Sequence, residues 1–206
     1  MRVAIIGGTG PFGKALARRL QSAGYDVVVG SRDADRAAKI AGELGVDGAS
    51  NNDAARSAEL VILATEAQAA IETARGLRRA IGTTPVLSVA SDIRFSAAGV
   101  STADEMHSVA ERIRDELGAP VVAGLHSLAA SNLGSAHPLH EDAFVCGDDE
   151  GAKALVLELA GRVTSGRALD AGPLSNARVL EGLTAVLVNV NRRYKAHAGI
   201  RVTGLP

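Results

Sequence analysis

A short apolar strand that runs straight into a glycine turn constrains this chain more than any other feature. Residues 3–6 (Val-Ala-Ile-Ile) lead into Gly7-Gly8-Thr9-Gly10-Pro11-Phe12-Gly13, where Gly8, Gly10 and Gly13 have G-x-G-x-x-G spacing. Residues 14–21 read as a helix, with Ala15, Leu16, Ala17 and Leu20 on an inner face. Strand, glycine turn and helix in that order are the context in which the spacing carries meaning. Gly8 permits the tight turn, Gly10 lets backbone approach a pyrophosphate, and Gly13 lets helix and strand pack closely. The helix N-terminus adds unpaired N–H groups and a positive dipole end. The expectation is a bound dinucleotide.

The end of the second strand narrows which one. Val27, Val28 and Val29 read as a buried parallel strand over residues 26–30. Versions of this fold that bind NAD place Asp or Glu about 20 residues beyond the turn, on the ribose 2′-OH. Here Gly30-Ser31-Arg32 stands at that point and Arg36 follows one helical turn later. A hydroxyl and two guanidinium groups suit a dianionic 2′-phosphate, so the expected nucleotide is NADP. Asp33 and Asp35 fit a helix N-terminus as capping residues.

Alternation continues down the chain. The second helix is expected to end at 44, followed by a loop or short strand over 45–50. Asn51 or Asn52 is expected to cap a short helix through Arg56. Residues 60–64 and 85–89 read as strands and 69–80 as a helix with Ile71, Ala74 and Leu77 on one face. Ligands in such folds sit at carboxyl ends of strands, so the 65–68 tip (Thr65, Glu66, Ala67, Gln68) and Ser88–Val89 should border the cofactor. Residues 91–102 read as irregular, and 103–117 as an amphipathic helix with Met106, Val109, Ala110, Ile113 and Leu117 inward. Strands over 120–123, 144–146 and 167–171, a helix over 150–161 and a long C-terminal helix complete the pattern. The fold class is α/β: a Rossmann-type doubly wound parallel sheet with a small C-terminal α/β extension ending in a long helix. Residues 1–206 are expected to form one NADP-binding unit, or one unit with a small lobe over 140–206.

Composition sets limits on function. Among 206 residues, 47% are hydrophobic and 22% charged, as in an ordinary globular protein. A net charge of −1 provides no basic field for nucleic acid. No apolar run approaches the ~18–20 residues that span a bilayer. The single cysteine, Cys146, excludes an internal disulfide and fits a reducing cytoplasm, and no signal peptide is expected before the first strand. Cys146 also has no neighbouring base or cation in sequence that would make it a nucleophile. His137 and His140 lack further ligands at metal-binding spacing, so no metal is expected. Asp148 and Asp149 are accounted for as helix-terminal residues. His126, after the 120–123 strand, is read either as a structural hydrogen-bonder or as a neutral imidazole donating to substrate or to the nicotinamide amide. In the last helix Val179, Leu183, Val186, Leu187, Val190 and Tyr194 keep helical spacing. That row suits either a cover for the sheet or a homodimer contact, and Asn189 and Asn191 are candidates for hydrogen bonds across such an interface.

The stretches Met1-Arg2-Val3-Ala4, Gly7-Gly8-Thr9-Gly10 and Val28-Val29-Gly30-Ser31-Arg32 resemble the NADPH-dependent reductases of the deazaflavin coenzyme F420. So do Thr73-Ala74-Arg75, Leu125-His126, Cys146-Gly147-Asp148-Asp149 and the run from Leu169 to Asn176. The resemblance extends over nearly the whole chain, and its last two stretches are not generic to dinucleotide-binding folds. It implies hydride transfer between C5 of the deazaflavin and C4 of NADP, in either direction. It also implies that Thr9, Gly10, Pro11 and Phe12 bind the pyrophosphate and that Ser31, Arg32 and Arg36 hold the 2′-phosphate. Gln68, Ile71 and Ala130 would line the nicotinamide end, and His126 would border the deazaflavin. Such a reaction needs two rings held together and water excluded, with no catalytic side chain. The chain departs from the family's usual Thr-Ile-Pro-Trp in having Thr65-Glu66-Ala67-Gln68, and its 91–102 loop differs as well. Two other readings remain: an NADPH-dependent reductase of another small polar imine or carbonyl compound, and a non-catalytic NADP-binding sensor or subunit.

Overall fold

The computed structural model describes residues 1–103 and 106–205. In chain order the elements begin β1 (Arg2–Ile6), α1 (Pro11–Ser22), β2 (Asp26–Ser31), α2 (Ala34–Leu44), β3 (Asp47–Ser50) and α3 (Asn51–Ser57). Next come β4 (Leu60–Leu63), α4 (Ala67–Ile81), β5 (Val86–Ser88), β6 (Ile93–Ser96), β7 (Gly99–Thr102) and α5 (Val109–Glu116). The chain continues with β8 (Val121–Gly124), α6 (Ala130–Leu133), β9 (Ala143–Gly147), α7 (Glu150–Val163), β10 (Ala168–Asp170) and α8 (Ala177–Tyr194). Eight strands form one sheet in the order β10-β9-β8-β5-β4-β1-β2-β3, while β6 and β7 pair only with each other. All neighbours in the large sheet are parallel except β8 and β9, so β9 and β10 run against the rest.

Burial explains why the central strands are continuous apolar runs. On β1 and β4, Ala4, Ile6, Val61 and Leu63 pack toward α3, α4 and α5. Their alternates Val3, Ile5, Leu60 and Ile62 pack toward α1, α2 and α7. Both faces are covered, as a parallel sheet requires, and each fully buried Leu or Ile contributes roughly 1.5–3 kcal/mol. Strand order reverses between β1 and β4, which leaves a crevice at their carboxyl ends.

Several expectations are corrected. The first helix begins at Pro11 rather than residue 14, because proline fits N1 and Gly10 serves as N-cap. Ser50, not Asn51 or Asn52, caps α3 by accepting from the Asp53 N–H at 3.2 Å. Residues 91–102 are not irregular throughout. They hold the β6–β7 hairpin, whose residues 94–98 are exposed and so show no apolar alternation. The helix expected from 103 begins at Val109, where Ser108 and Glu111 form a capping box. Met106 is 82% exposed rather than inward; positions 104–105 of that expected helix lie outside the described residues. On α8 the inner row is Ala177, Leu180, Glu181, Ala185 and Leu187. Val179, Val186 and Tyr194 face outward. Asn189 does not await another molecule: its side chain bonds both backbone groups of Val100, at 2.9 and 2.6 Å, and so holds the hairpin to α8. Asn191 accepts from the Ala198 N–H.

The two distinctive motifs have structural uses. Asp148 Oδ1 accepts from Leu174 N–H, Asp170 Oδ1 from Gly172 N–H, and Asn176 Nδ2 donates to Ala171 O. Together they lock the turn between β10 and α8. Asp142, fully buried, takes three hydrogen bonds from Arg167 and one from Val202 N–H, which hold its carboxyl well below the usual carboxylate range. This clamp ties the C-terminal strap to the start of β9. Among the described residues no helix is long and apolar enough to cross a membrane.

Candidate active site

The glycine turn is shaped by exclusion. Gly7 has φ +84°, and a Cβ there would stand 2.5 Å from Thr65 Cγ2 and 2.8 Å from Ala64 O. At Gly13 a Cβ would meet Gly7 O and Gly8 Cα at 2.6 Å, so α1 can lie this close to the turn only as glycine. No side chain caps α1 and no acidic residue occupies its first turn. Its positive end therefore faces an open cavity of about 860 Å³, lined in part by Gly7, Thr9, Gly10, Pro11 and Phe12.

Ser31, Arg32 and Arg36 line the same cavity. Asp33 is occupied as the cap of α2, accepting from Arg36 N–H at 3.1 Å. Ser31 Oγ accepts from Asp33 N–H at 3.2 Å, which leaves its own proton to donate. Arg2, Arg75, Arg112 and Arg167 are all in ion pairs. Arg32 and Arg36 are exposed, with no ion pair among the described residues. Two buried oxygens beside this cavity, Asn51 Oδ1 and Thr65 Oγ1, also lack partners. An uncapped helix end, two uncompensated guanidinium groups and orphaned polar atoms fit a phosphate-rich dinucleotide.

A second cavity of about 410 Å³ adjoins the first, and Phe12, Ala64, Thr65 and Glu66 belong to both walls. Its other lining includes Val89, Ala90, Ser91, Ile93, Leu125, His126, Leu128 and Ala130, closed by Thr184, Leu187, Val188 and Asn191 of α8. His126 is 6% exposed, and its Nε2 lies 3.2 Å from Ala90 O. A carbonyl only accepts, so Nε2 carries the proton and Nδ1 is left bare and unpartnered. Burial pushes the His126 pKa down to about 4, against a smaller opposing effect of the Ala90 bond, so the imidazole is neutral near pH 7. Thr184 Oγ1 donates to His126 O at 3.1 Å, which obliges Ser91 to donate to Thr184 at 2.8 Å. The hydroxyl protons of Ser91 and Thr184 are thus spent inside the protein. A ligand here meets a largely apolar slot.

The structure brings most of the expected site residues to these two cavities and leaves five outside their walls. Gln68 bonds Glu72 Oε1 at 2.9 Å and Arg112 at the surface. Ile71, expected at the nicotinamide end, is 5% exposed on the sheet-facing side of α4, within the apolar core. Ser88 is fully buried on β5, its hydroxyl without a partner. Gly8 and Gly13 act behind the wall as spacers. Unforeseen in the sequence are Asn51, Asn52, Glu72, Thr73, Gly76 and Leu77 along the larger cavity and the α8 residues of the smaller one. The α4 set recurs at three- and four-residue intervals from Glu66, a helical face that marks a groove once α4 is placed. Among the described residues no group of three or more His, Cys, Asp or Glu is arranged to hold a metal.

Comparisons with known proteins agree with this arrangement. A family profile described as "NADP oxidoreductase coenzyme F420-dependent" matches residues 2–92. The F420-dependent NADP reductase of Methanothermobacter thermautotrophicus is 37% identical, across 100% of this chain and 96% of the relative. That of Methanocaldococcus jannaschii is 32% identical, across 100% of this chain and 99% of the relative. A crystal structure from Arthrobacter sp. FB24, provisionally named an F420-dependent NADP reductase, superposes with a TM-score of 0.84 at 26% identity over 96% of both chains. The chain belongs to the family of F420-dependent NADP reductases.

Proposed function

We propose that this protein transfers a hydride between NADP(H) in the larger cavity and the deazaflavin coenzyme F420 in the smaller one. The observation that carries the reading is the wall common to both cavities, formed by Phe12, Ala64, Thr65 and Glu66. When bound, the two coenzymes supply the hydride-donating and hydride-accepting carbons, C4 of the nicotinamide and C5 of the deazaflavin. The chain's own residues bind and orient. Ser31, Arg32 and Arg36 anchor the 2′-phosphate end, and the free N–H groups at the start of α1 hold the pyrophosphate. That anchoring directs the far end of the dinucleotide to the shared wall. The aliphatic slot closed by α8 excludes water, and neutral His126 fixes the backbone of its rim without adding charge. Rate enhancement then comes from proximity and orientation.

The finer readings rest on other features. Val179, Val186 and Tyr194, at 68%, 55% and 75% exposure, form an outward apolar row on α8 that supports a homodimer. One sheet containing eight strands supports treating residues 1–206 as a single unit. A single, buried cysteine and a net charge of −1 suit a cytoplasmic enzyme of small coenzymes that has no nucleic-acid partner.

The test is to mix the purified chain with NADPH and oxidised F420 and follow the deazaflavin absorbance. Bleaching is expected. Tight NADPH binding without bleaching would remove F420 as the partner and favour another small imine or carbonyl acceptor, or a protein that only binds NADP.

A further inference from the structure

Glu66 is the one charged side chain among the described residues lining the smaller cavity, where His126 is held neutral by burial. It is also on the wall of the larger cavity, at the carboxyl end of β4. As the N-cap residue of α4 it has an extended backbone, φ −61° and ψ 155°, yet its side chain makes no capping bond. No described residue gives its carboxylate a hydrogen bond or an ion pair. A charge with no internal partner thus stands where the two cavities meet.

We infer that Glu66 sets the redox preference of the nicotinamide site, holding the oxidised, cationic ring more tightly than the reduced, neutral ring and so favouring hydride flow out of NADPH. The inference rests on the NADP reading given above. Loss of a hydride adds one positive charge to the nicotinamide ring and leaves the phosphates unchanged. Contacts at Ser31, Arg32 and Arg36 are therefore uniform between the two forms, and only a charge near the ring separates them. The apolar slot beside it strengthens the interaction, while the exposure of Glu66 on its other side weakens it. A moderate discrimination follows, on the order of fivefold in the ratio of the two dissociation constants. For a two-electron couple, in which tenfold corresponds to 29.6 mV, that ratio lowers the bound nicotinamide potential by about 20 mV.

The test is direct titration of the full chain with NADPH and, separately, with NADP+, at low and high salt, with no deazaflavin present. In Glu66→Gln and Glu66→Ala, NADP+ binding is expected to weaken about fivefold relative to wild type while NADPH stays within about twofold. Glu66→Asp should keep the wild-type ratio, and the wild-type preference should shrink at high salt as screening increases. Equal changes for both nucleotides, or none, would overturn the inference while leaving the NADP site intact. Failure of the wild type to bind either nucleotide would overturn the site itself. Absence of F420 turnover would bear on neither result.

Discussion

Arg32 and Arg36 differ from the paired arginines of this chain in having no carboxylate among the described residues to neutralise them. Asp33 stands next to Arg32, but its oxygen is taken by the backbone of Arg36. Replacing Arg32 with Asp is expected to weaken NADPH about a hundredfold and NADH less than about threefold, because charge-assisted bonds to the 2′-phosphate are lost and a repulsion is added. Fluorescence titration of both nucleotides decides it; equal losses would refute the 2′-phosphate assignment. This part of the site was legible because its residues lie within a few positions of each other at the end of a valine strand. His126 was only half legible. Its tautomer and neutrality depend on the Ala90 carbonyl, 36 positions away, and on burial under α8. No local pattern encodes either.

Between elements, the contact of α8 with α5 contains a buried acid. Glu181 is 4% exposed, and its Oε1 accepts from the Ala110 N–H at 3.3 Å, in the first turn of α5. Burial raises its pKa from 4.5 to about 7, partly offset by backbone bonds from Val109, Ala110 and Asp92, with the charge of Asp92 adding to the rise. The folded state therefore prefers the protonated acid. Its contribution to stability is complete below pH ~4.5 and is lost as pH rises toward 7. Glu181→Gln keeps the acceptor and removes the titration. Relative to wild type, the variant should gain about 2–3 kcal/mol between pH 4.5 and pH 8. Denaturant melts at both pH values measure this, and a constant difference between the two proteins would refute it. The sheet strands and α7 were legible from apolar runs and caps, since both signals are local. The β6–β7 hairpin was not, because the side chain of Asn189 on α8, rather than its own pattern, holds it in place.

For the molecule as a whole, the outward row of α8 predicts self-association. Wild-type protein is expected to sediment as a dimer, and Val186→Glu to shift it toward monomer with NADPH affinity retained, since Val186 lines neither cavity. A monomeric wild type would refute the reading. The doubly wound order of strands could be anticipated from alternating elements; the reversal of β9 and β10 could not, because direction depends on how α6 and the 134–142 segment return the chain. The junction of the two cavities at Phe12, Ala64, Thr65 and Glu66 also governs how turnover responds to concentration. A hydride passed directly between the two coenzymes is never stored on the protein, so no product can form or leave before both coenzymes are bound. Initial rates measured against one coenzyme at several fixed levels of the other should therefore give reciprocal lines that intersect, not the parallel set of a double-displacement enzyme.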